Sequence, residues 1–353
     1  MAYRIKLSDT PEQALRRVGR DQIKRATLAL SAPGSAGSAI HETRKCLKRI
    51  RALLRLVRPG LGDGVFQHEN ARYRDLGRLL SPARDAEILS ETLVKLQPSA
   101  TDAEAHDIAI LKQHILEQGR QIESTGGDAT IEAALDQLAS AKSAMAKLVI
   151  NGVDFTPVEK GLRDSYRRGV NTYERAYRAG TDEAFHDWRK CVQLHWRHMA
   201  LMSRAWPDMF SARIEAARQL SQILGDAQDL SVLMKLVQDR TPEDTAIAAL
   251  NKDSAGRLEN LARQRQHYLR ELANPRGAIL FSLSPKALTK SIVDAWQAAK
   301  VMVQFTGDSP PAEPNPATGA LAANEPASGP DPLNDRAAML APSARRKRSR
   351  API

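Results

Sequence analysis

His41-Glu42-Thr43-Arg44-Lys45-Cys46-Leu47-Lys48-Arg49-Ile50-Arg51-Ala52-Leu53-Leu54-Arg55-Leu56-Val57-Arg58 runs directly into Pro59-Gly60. On a wheel advancing about 100° per residue with His41 at zero, Arg44, Lys45, Lys48, Arg51 and Arg55 fall within about 80° of it. Cys46, Leu47, Ile50, Leu53, Leu54 and Val57 take the opposite side. One apolar stripe and one cationic stripe at helical period predict an amphipathic helix from about Ser38 to Arg58, ended where Pro59 removes an amide proton and fixes φ. The cationic stripe is unusual for a solvated face. Such faces mix signs so that Glu and Lys at i,i+4 support one another, whereas here like charges stand at i,i+3 and i,i+4 with Glu42 as the only acid. Each such pair costs a few tenths of a kcal/mol, which points to a polyanion as the missing compensation.

The stretch occurs twice. His186-Asp187-Trp188-Arg189-Lys190-Cys191 repeats His41-Glu42-Thr43-Arg44-Lys45-Cys46 at an offset of 145, with His, acid, Arg-Lys pair and Cys preserved. Arg197 and Arg204 extend the cationic side of the second copy, and Cys191, Val192, Met199 and Met202 lie opposite. His195 falls on the apolar side, as a core histidine would. Downstream, Leu76 to Asp85 aligns with Leu220 to Asp229 at offset 144. Two matched blocks in one order at nearly one offset indicate a duplicated helical unit of about 145 residues.

The rest of the chain supports an all-α fold. Thr10-Pro11 opens a helix with an N-cap and a proline at its first position, and Leu15, Val18, Ile23 and Leu28 recur toward Ser31. Further helices are expected near 64–81, 82–97, 102–124 and 128–149. After Thr156-Pro157 they resume near 157–179, 182–205, 208–224, 226–239, 243–272 and 285–303. The organisation is then a segment 1–8, a helical domain 9–303 whose repeats cover about 9–149 and 154–303, and a tail 307–353. That tail holds nine of the 19 prolines and ends in Arg345-Arg346-Lys347-Arg348-Ser349-Arg350, so it is expected to be disordered with a basic end.

Composition narrows the function. The 353 residues carry 52 Lys and Arg against 41 Asp and Glu, a formal charge of +11. No apolar run is long enough for a membrane helix and no secretory signal opens the chain, so a cytoplasmic protein with no membrane partner is expected. The two cysteines, Cys46 and Cys191, make neither a disulfide framework nor a zinc motif. A P-loop, a trustworthy Ser/His/Asp order and paired metal-binding acids are all missing from the sequence, so no catalysis, no cofactor and no metal is expected. His41 and His186 open the two stripes at equivalent positions. No His or carboxylate stands at i+4 to complete a metal site, which leaves a hydrogen-bonding role or direct contact with an anion.

The motif HxxRKxxKRxRxxxR from His41, the stretch LxxLLxxxRDxxIL from Leu76 and the second HxxRK with its later LGDxxDL resemble the CHAD domain, the conserved-histidine α-helical domain, over roughly residues 9 to 300. The resemblance implies two pseudo-symmetric four-helix bundles with a basic central cavity. It also implies binding of inorganic polyphosphate, in some bacterial members at polyphosphate granules. By position, the family's His and basic residues fall on His41, Arg44, Lys48, Arg49, Arg51 and Arg55, then on His186, Arg189, Lys190 and Arg197. Lys45 shares the first stripe, while Arg84-Asp85 and Asp229 match the second motif. Gln193 and Gln228 replace cations of that pattern, so the second half is expected to bind more weakly. The alternative partner is nucleic acid, bound non-specifically through charge. Binders of single strands interleave aromatics for base stacking, and His41 to Arg58 contains none.

Overall fold

The computed structural model describes residues 3–33, 36–80, 82–124, 127–152, 154–238, 250 and 252–306; side chains at 36, 82–85, 87, 118–124 and 127–128 are not among those described. The expectation for 307–353 lies outside these residues. Among them the chain is helical, with no strand. In order come α1 (Pro11–Ser31), α2 (Ala36–Leu56), the single turn α3 (Arg58–Leu61), α4 (Asp63–Leu79), α5 (Pro82–Leu96), α6 (Asp102–Ser124) and α7 (Gly127–Lys147). They are followed by α8 (Thr156–Ala179), α9 (Asp182–Met202), α10 (Pro207–Gln238), α11 (Lys252–Leu280) and α12 (Pro285–Thr306).

Local chemistry accounts for the helix ends. Thr10 and Gln13 form a capping box, with Gln13 N donating to Thr10 Oγ1 at 3.2 Å and Thr10 N to Gln13 Oε1 at 2.9 Å. Thr181 caps α9 through its hydroxyl, which accepts from Ala184 N at 3.3 Å. Leu15, Val18 and Ile23 are buried as the spacing predicts, but Leu28 is 58% exposed, and Ala26 and Leu30 hold the inward positions of that last turn. The apolar side of α2 is fully engaged: Cys46, Leu47, Ile50, Leu53, Leu54 and Val57 are buried. So are Cys191, Val192, Met199 and Met202 on α9, together with Trp188 and His195.

Equivalent helices pack equivalently. The pairs α1–α2 and α8–α9 match across the repeat, as do α1–α7 and α8–α12. One hydrophobic cluster draws on both of these sets and on α4 and the first part of α10; a second joins α5 and α6 to the later part of α10 and the first part of α11. Thus α10 serves both clusters. The sequence predicts two helices there, 208–224 and 226–239, yet the backbone runs unbroken through Gly225-Asp226. A Cβ at Gly225 would lie 2.8 Å from Nη2 of Arg189, so the glycine makes room for a guanidinium and does not mark a turn.

α11 departs from expectation in the same way. Its predicted end at 272 gives way to a helix that passes Pro275 and stops at Leu280, while the predicted start lies largely outside the described residues. An interior proline removes a ladder bond. Side chains take up carbonyls around it: the Tyr177 hydroxyl donates to Arg270 O at 2.6 Å, the Tyr173 hydroxyl to Asn274 O at 3.3 Å, and Arg276 Nη1 to Leu272 O at 2.9 Å.

The two repeats meet at a tight seam. Gly161 of α8 sits against the end of α2, where a Cβ would fall 1.8 Å from the carbonyl oxygen of Leu56. Nearby, His198 Nε2 lies 2.9 Å from the Ala52 carbonyl, and Ile5 N donates to Leu201 O at 2.9 Å, which pins the N-terminal segment to α9.

Candidate functional site

The α2 stripe divides into two rows. On one side Glu42 gathers Arg25 of α1 at 3.0 Å, Lys45 at 3.9 Å and Arg49 at 4.0 Å. Arg49 also donates to Gln22 Oε1 at 3.4 Å and lies 5.7 Å from the Tyr3 ring centroid. Those cations are compensated within the fold. On the other side His41, Arg44, Lys48, Arg51 and Arg55 follow one another toward the seam.

Neutral acceptors hold much of this second row. Arg44 Nη1 donates to the Gly77 carbonyl of α4 at 2.8 Å, and Arg51 Nε donates to Asn70 Oδ1 at 3.1 Å. Burial lowers the Arg51 pKa, and the neighbouring charges of Arg74 and Arg78 lower it further, so two arginines of α4 border the same strip. Arg55 is the most constrained. Desolvation, then the charges of Arg51, Arg168 and Arg58, bring its pKa down to about 10. The Phe66 ring centroid lies 5.8 Å from its guanidinium. It carries no hydrogen bond or ion pair among the described residues.

Beside Arg55 opens a cleft of about 310 Å³, lined by Arg55, Arg58, Lys160 and Arg168, with Asp63 and Asp164 at its margin. Arg58 Nε donates to Asp63 Oδ1 at 2.8 Å, a bond that depresses the Asp63 pKa. Asp164 pairs with Arg167 at 3.2 Å. Arg168, Lys160 and Arg58 were not among the residues singled out from sequence, nor were Arg74 and Arg78. The spacing Lys160, Asp164, Arg168 does place three charges on one face of α8. That this face turns toward α2 is a matter of tertiary packing.

The α9 stripe is arranged differently. Asp187 pairs with Lys190 at 3.0 Å and with Arg175 of α8 at 3.7 Å. Partial burial pushes Asp187 up, but the Lys190 hydrogen bond and the charges of Lys190, Arg175 and Arg168 outweigh it and hold the pKa below the ordinary value. Arg189 lies over Gly225, and its charge offsets part of the rise that burial imposes on Asp229. The Nδ1 atom of His186 is buried and makes no hydrogen bond among the described residues. Desolvation, with Lys190 and Arg189 nearby, lowers the His186 pKa. Arg197 is only 5% exposed: Nη1 donates to Gln193 O at 2.8 Å and the guanidinium stacks 4.2 Å over Trp196. The predicted cationic side of α9 therefore turns inward at Arg197, while Arg204 lies just past the helix end and is half-buried.

The fold thus brings Arg44, Lys48, Arg51 and Arg55 into one row and joins it through Arg168 to Asp187 and Lys190. Arg49 and Arg197 are set apart, both near Tyr3, whose pKa is raised by burial against their opposing charges. The Arg84 side chain lies outside the described residues. Among the described residues no group of three His, Cys, Asp or Glu side chains is arranged to hold a metal ion, and no helix is long and apolar enough to cross a membrane.

Among the described residues this is a helical protein that carries the same basic motif on two helices, α2 and α9. The CHAD domain profile matches residues 18–238, and the chain belongs to the CHAD domain family, a family known for polyphosphate binding. No curated protein gives a significant match to the sequence.

Proposed function

We propose that this chain binds inorganic polyphosphate without catalysis, through two pseudo-symmetric four-helix bundles whose basic helices border a central cavity. The matched pairings α1–α2 with α8–α9 and α1–α7 with α8–α12 support that symmetry. The observation that carries the binding role is the convergence of Arg51, Arg55, Arg58 and Arg168, where a desolvated guanidinium has no acceptor of its own among the described residues. A chain of phosphates along α2 supplies acceptors in the required number, with bidentate geometry available to each arginine. Its principal contacts are His41, Arg44, Lys48, Arg51 and Arg55, with Lys45 and Arg84 as further contacts and His186, Arg189 and Lys190 contributed by the second repeat. Arg49 and Arg197 act from behind, by fixing α2 and α9 around Tyr3. Such a protein works in the cytoplasm, at polyphosphate granules where these form.

Nucleic acid is the rival polyanion, but the two tryptophans within α9 are engaged. Trp188 is buried, and Trp196 lies between Arg197 at 4.2 Å and Arg218 at 5.1 Å, which leaves no open platform there for a base. Competition of long-chain polyphosphate against RNA and duplex DNA, across a salt series, tests the reading. With roughly six to eight phosphates engaged, affinity falls by orders of magnitude between low and moderate salt, by analogy with counterion release from nucleic acids. A flat salt titration, or equal affinity for RNA of matched charge, overturns it.

A further inference from the structure

We infer that the cleft between the end of α2, α3 and α8, lined by Arg55, Arg58, Lys160 and Arg168, is a subsite for the terminal phosphate of a phosphate chain. The inference rests on phosphate being the ligand of the α2 row, and adds to it a preference for chain ends.

The chemistry of the two kinds of phosphate differs. An internal phosphate of a linear chain has two non-bridging oxygens and one negative charge. A terminal one has three such oxygens and can carry a second charge. The α2 row offers its cations in line, one turn apart, which suits successive internal phosphates. The cleft instead gathers cations from three helices around one space of about 310 Å³.

The charges there are unequal in number. Four cations, Arg55, Arg58, Lys160 and Arg168, stand in the lining against two carboxylates, Asp63 and Asp164, and with Arg167 counted as the partner of Asp164 the excess is three, enough to meet a terminal phosphate dianion. The carboxylates are already occupied, Asp63 by Arg58 at 2.8 Å and Asp164 by Arg167 at 3.2 Å. Among the described residues Arg55, Lys160 and Arg168 have no hydrogen-bonded acceptor, so two guanidinium forks and an ammonium remain to meet three oxygens. Pro59, Gly161, Ser165 and Leu194 complete the lining, and the hydroxyl of Ser165 adds a neutral donor to the charged ones. Gly161 also brings α8 against Leu56, and so fixes Lys160 and Arg168 relative to Arg55.

Linear tripolyphosphate and cyclic trimetaphosphate separate the two kinds of phosphate, because the ring has no ends. Their affinities are to be measured by calorimetry on the full chain, on Lys160→Ala/Arg168→Ala and on Arg44→Ala/Lys48→Ala. Lys160 and Arg168 are exposed, so the first variant leaves the core intact, and thermal unfolding checks this. Arg168→Gln alone provides a milder second variant. The wild type is expected to prefer the linear form by at least tenfold; the cleft variant loses that preference, Arg168→Gln loses part of it, and the α2 variant keeps it. Equal affinity for ring and chain in the wild type, or an undiminished preference in both cleft variants, overturns the inference. Failure of the polyphosphate reading looks different: long chains then bind no better than tripolyphosphate, and the α2 variant is silent, while the cleft variants still lose the linear preference.

Discussion

The helices α2 and α9 descend from one motif and now treat their charges in opposite ways. On α9, Asp187 holds Lys190 and Arg175, Arg189 faces Asp229, and Arg197 is buried against Trp196. On α2, Glu42 and its cations sit to one side, and the row from Arg44 to Arg55 meets neutral acceptors, further arginines and an aromatic ring. Position by position, Lys48, Arg51 and Arg55 correspond to Gln193, Trp196 and Ala200. The pairings α1–α2 and α8–α9 match, and on the proposed reading the burden of binding rests on the first copy. Where the charges became structural, acids and aromatics gathered around them; at Arg55, which has no hydrogen-bonded acceptor among the described residues, an external anion is the consistent explanation.

The seam between these regions gives the largest expected effect. Gly161→Ala drives a methyl group into the Leu56 carbonyl, and since backbone must shift to admit it, destabilisation of about 3 kcal/mol or more is expected by denaturant unfolding. A variant as stable as wild type would show that the two repeats are not held by close contact at α8.

Acid resistance separates the copies next. His195 and His198 of α9 stand where α2 has Ile50 and Leu53. Burial lowers both pKa values, that of His198 to about 4 and that of His195 well below the ordinary value, where Arg213 Nε also donates to its Nε2 at 2.8 Å. Each imidazole binds its proton less readily folded than unfolded. Between the unfolded value near 6.5 and the folded one the unfolded state holds more protons, so stability falls as pH drops through that window. For His198 the complete effect is about 3 kcal/mol. Denaturant unfolding at pH 7 and pH 4.5 should reveal the loss, and His198→Leu should reduce it; identical curves for the two proteins would contradict it.

The row itself comes third. Arg44→Ala/Lys48→Ala/Arg51→Ala/Arg55→Ala removes four cations and spares the apolar side of α2, so polyphosphate affinity should fall about 100-fold at low salt, while thermal unfolding moves little. Unchanged binding would reduce the row to a solvated face. The smallest effect belongs to Arg189→Ala/Lys190→Ala, with a loss below about tenfold, because Asp187 and Asp229 already compensate part of that charge. If the two losses proved equal, the division of labour between α2 and α9 would have to be abandoned. Arg197→Ala is not a binding variant of the same kind, since it empties a packed position over Trp196.

The periodicity of the chain made the helices legible, and much of their inward sides as well: Leu47, Ile50, Leu54 and Trp188 are buried where the wheel puts them. Helix ends were legible where capping is local, as at Thr10. They were not where a distant side chain intervenes. Gly225 resembles a break because glycine's freedom is a local property, whereas the Arg189 guanidinium that needs its space comes from another helix. Pro275 resembles a stop because the tyrosines that take up the surrounding carbonyls lie about a hundred residues earlier.

The sequence by itself determined that the protein is all-α, that its basic helix is duplicated, and that the first copy has the longer run of cations, since these follow from period, order and residue type. Tertiary structure alone decided which cations share a space. Arg44, Lys48, Arg51 and Arg55 lie on one helix and are ordered by its pitch. Lys160 and Arg168 join Arg55 only because Gly161 lets α8 close on Leu56, and Arg197 leaves the stripe only because the N-terminal segment and Trp196 cover it. Charge on a helix face is a one-dimensional pattern. Desolvation and convergence are properties of three dimensions, and a sequence pattern does not contain them.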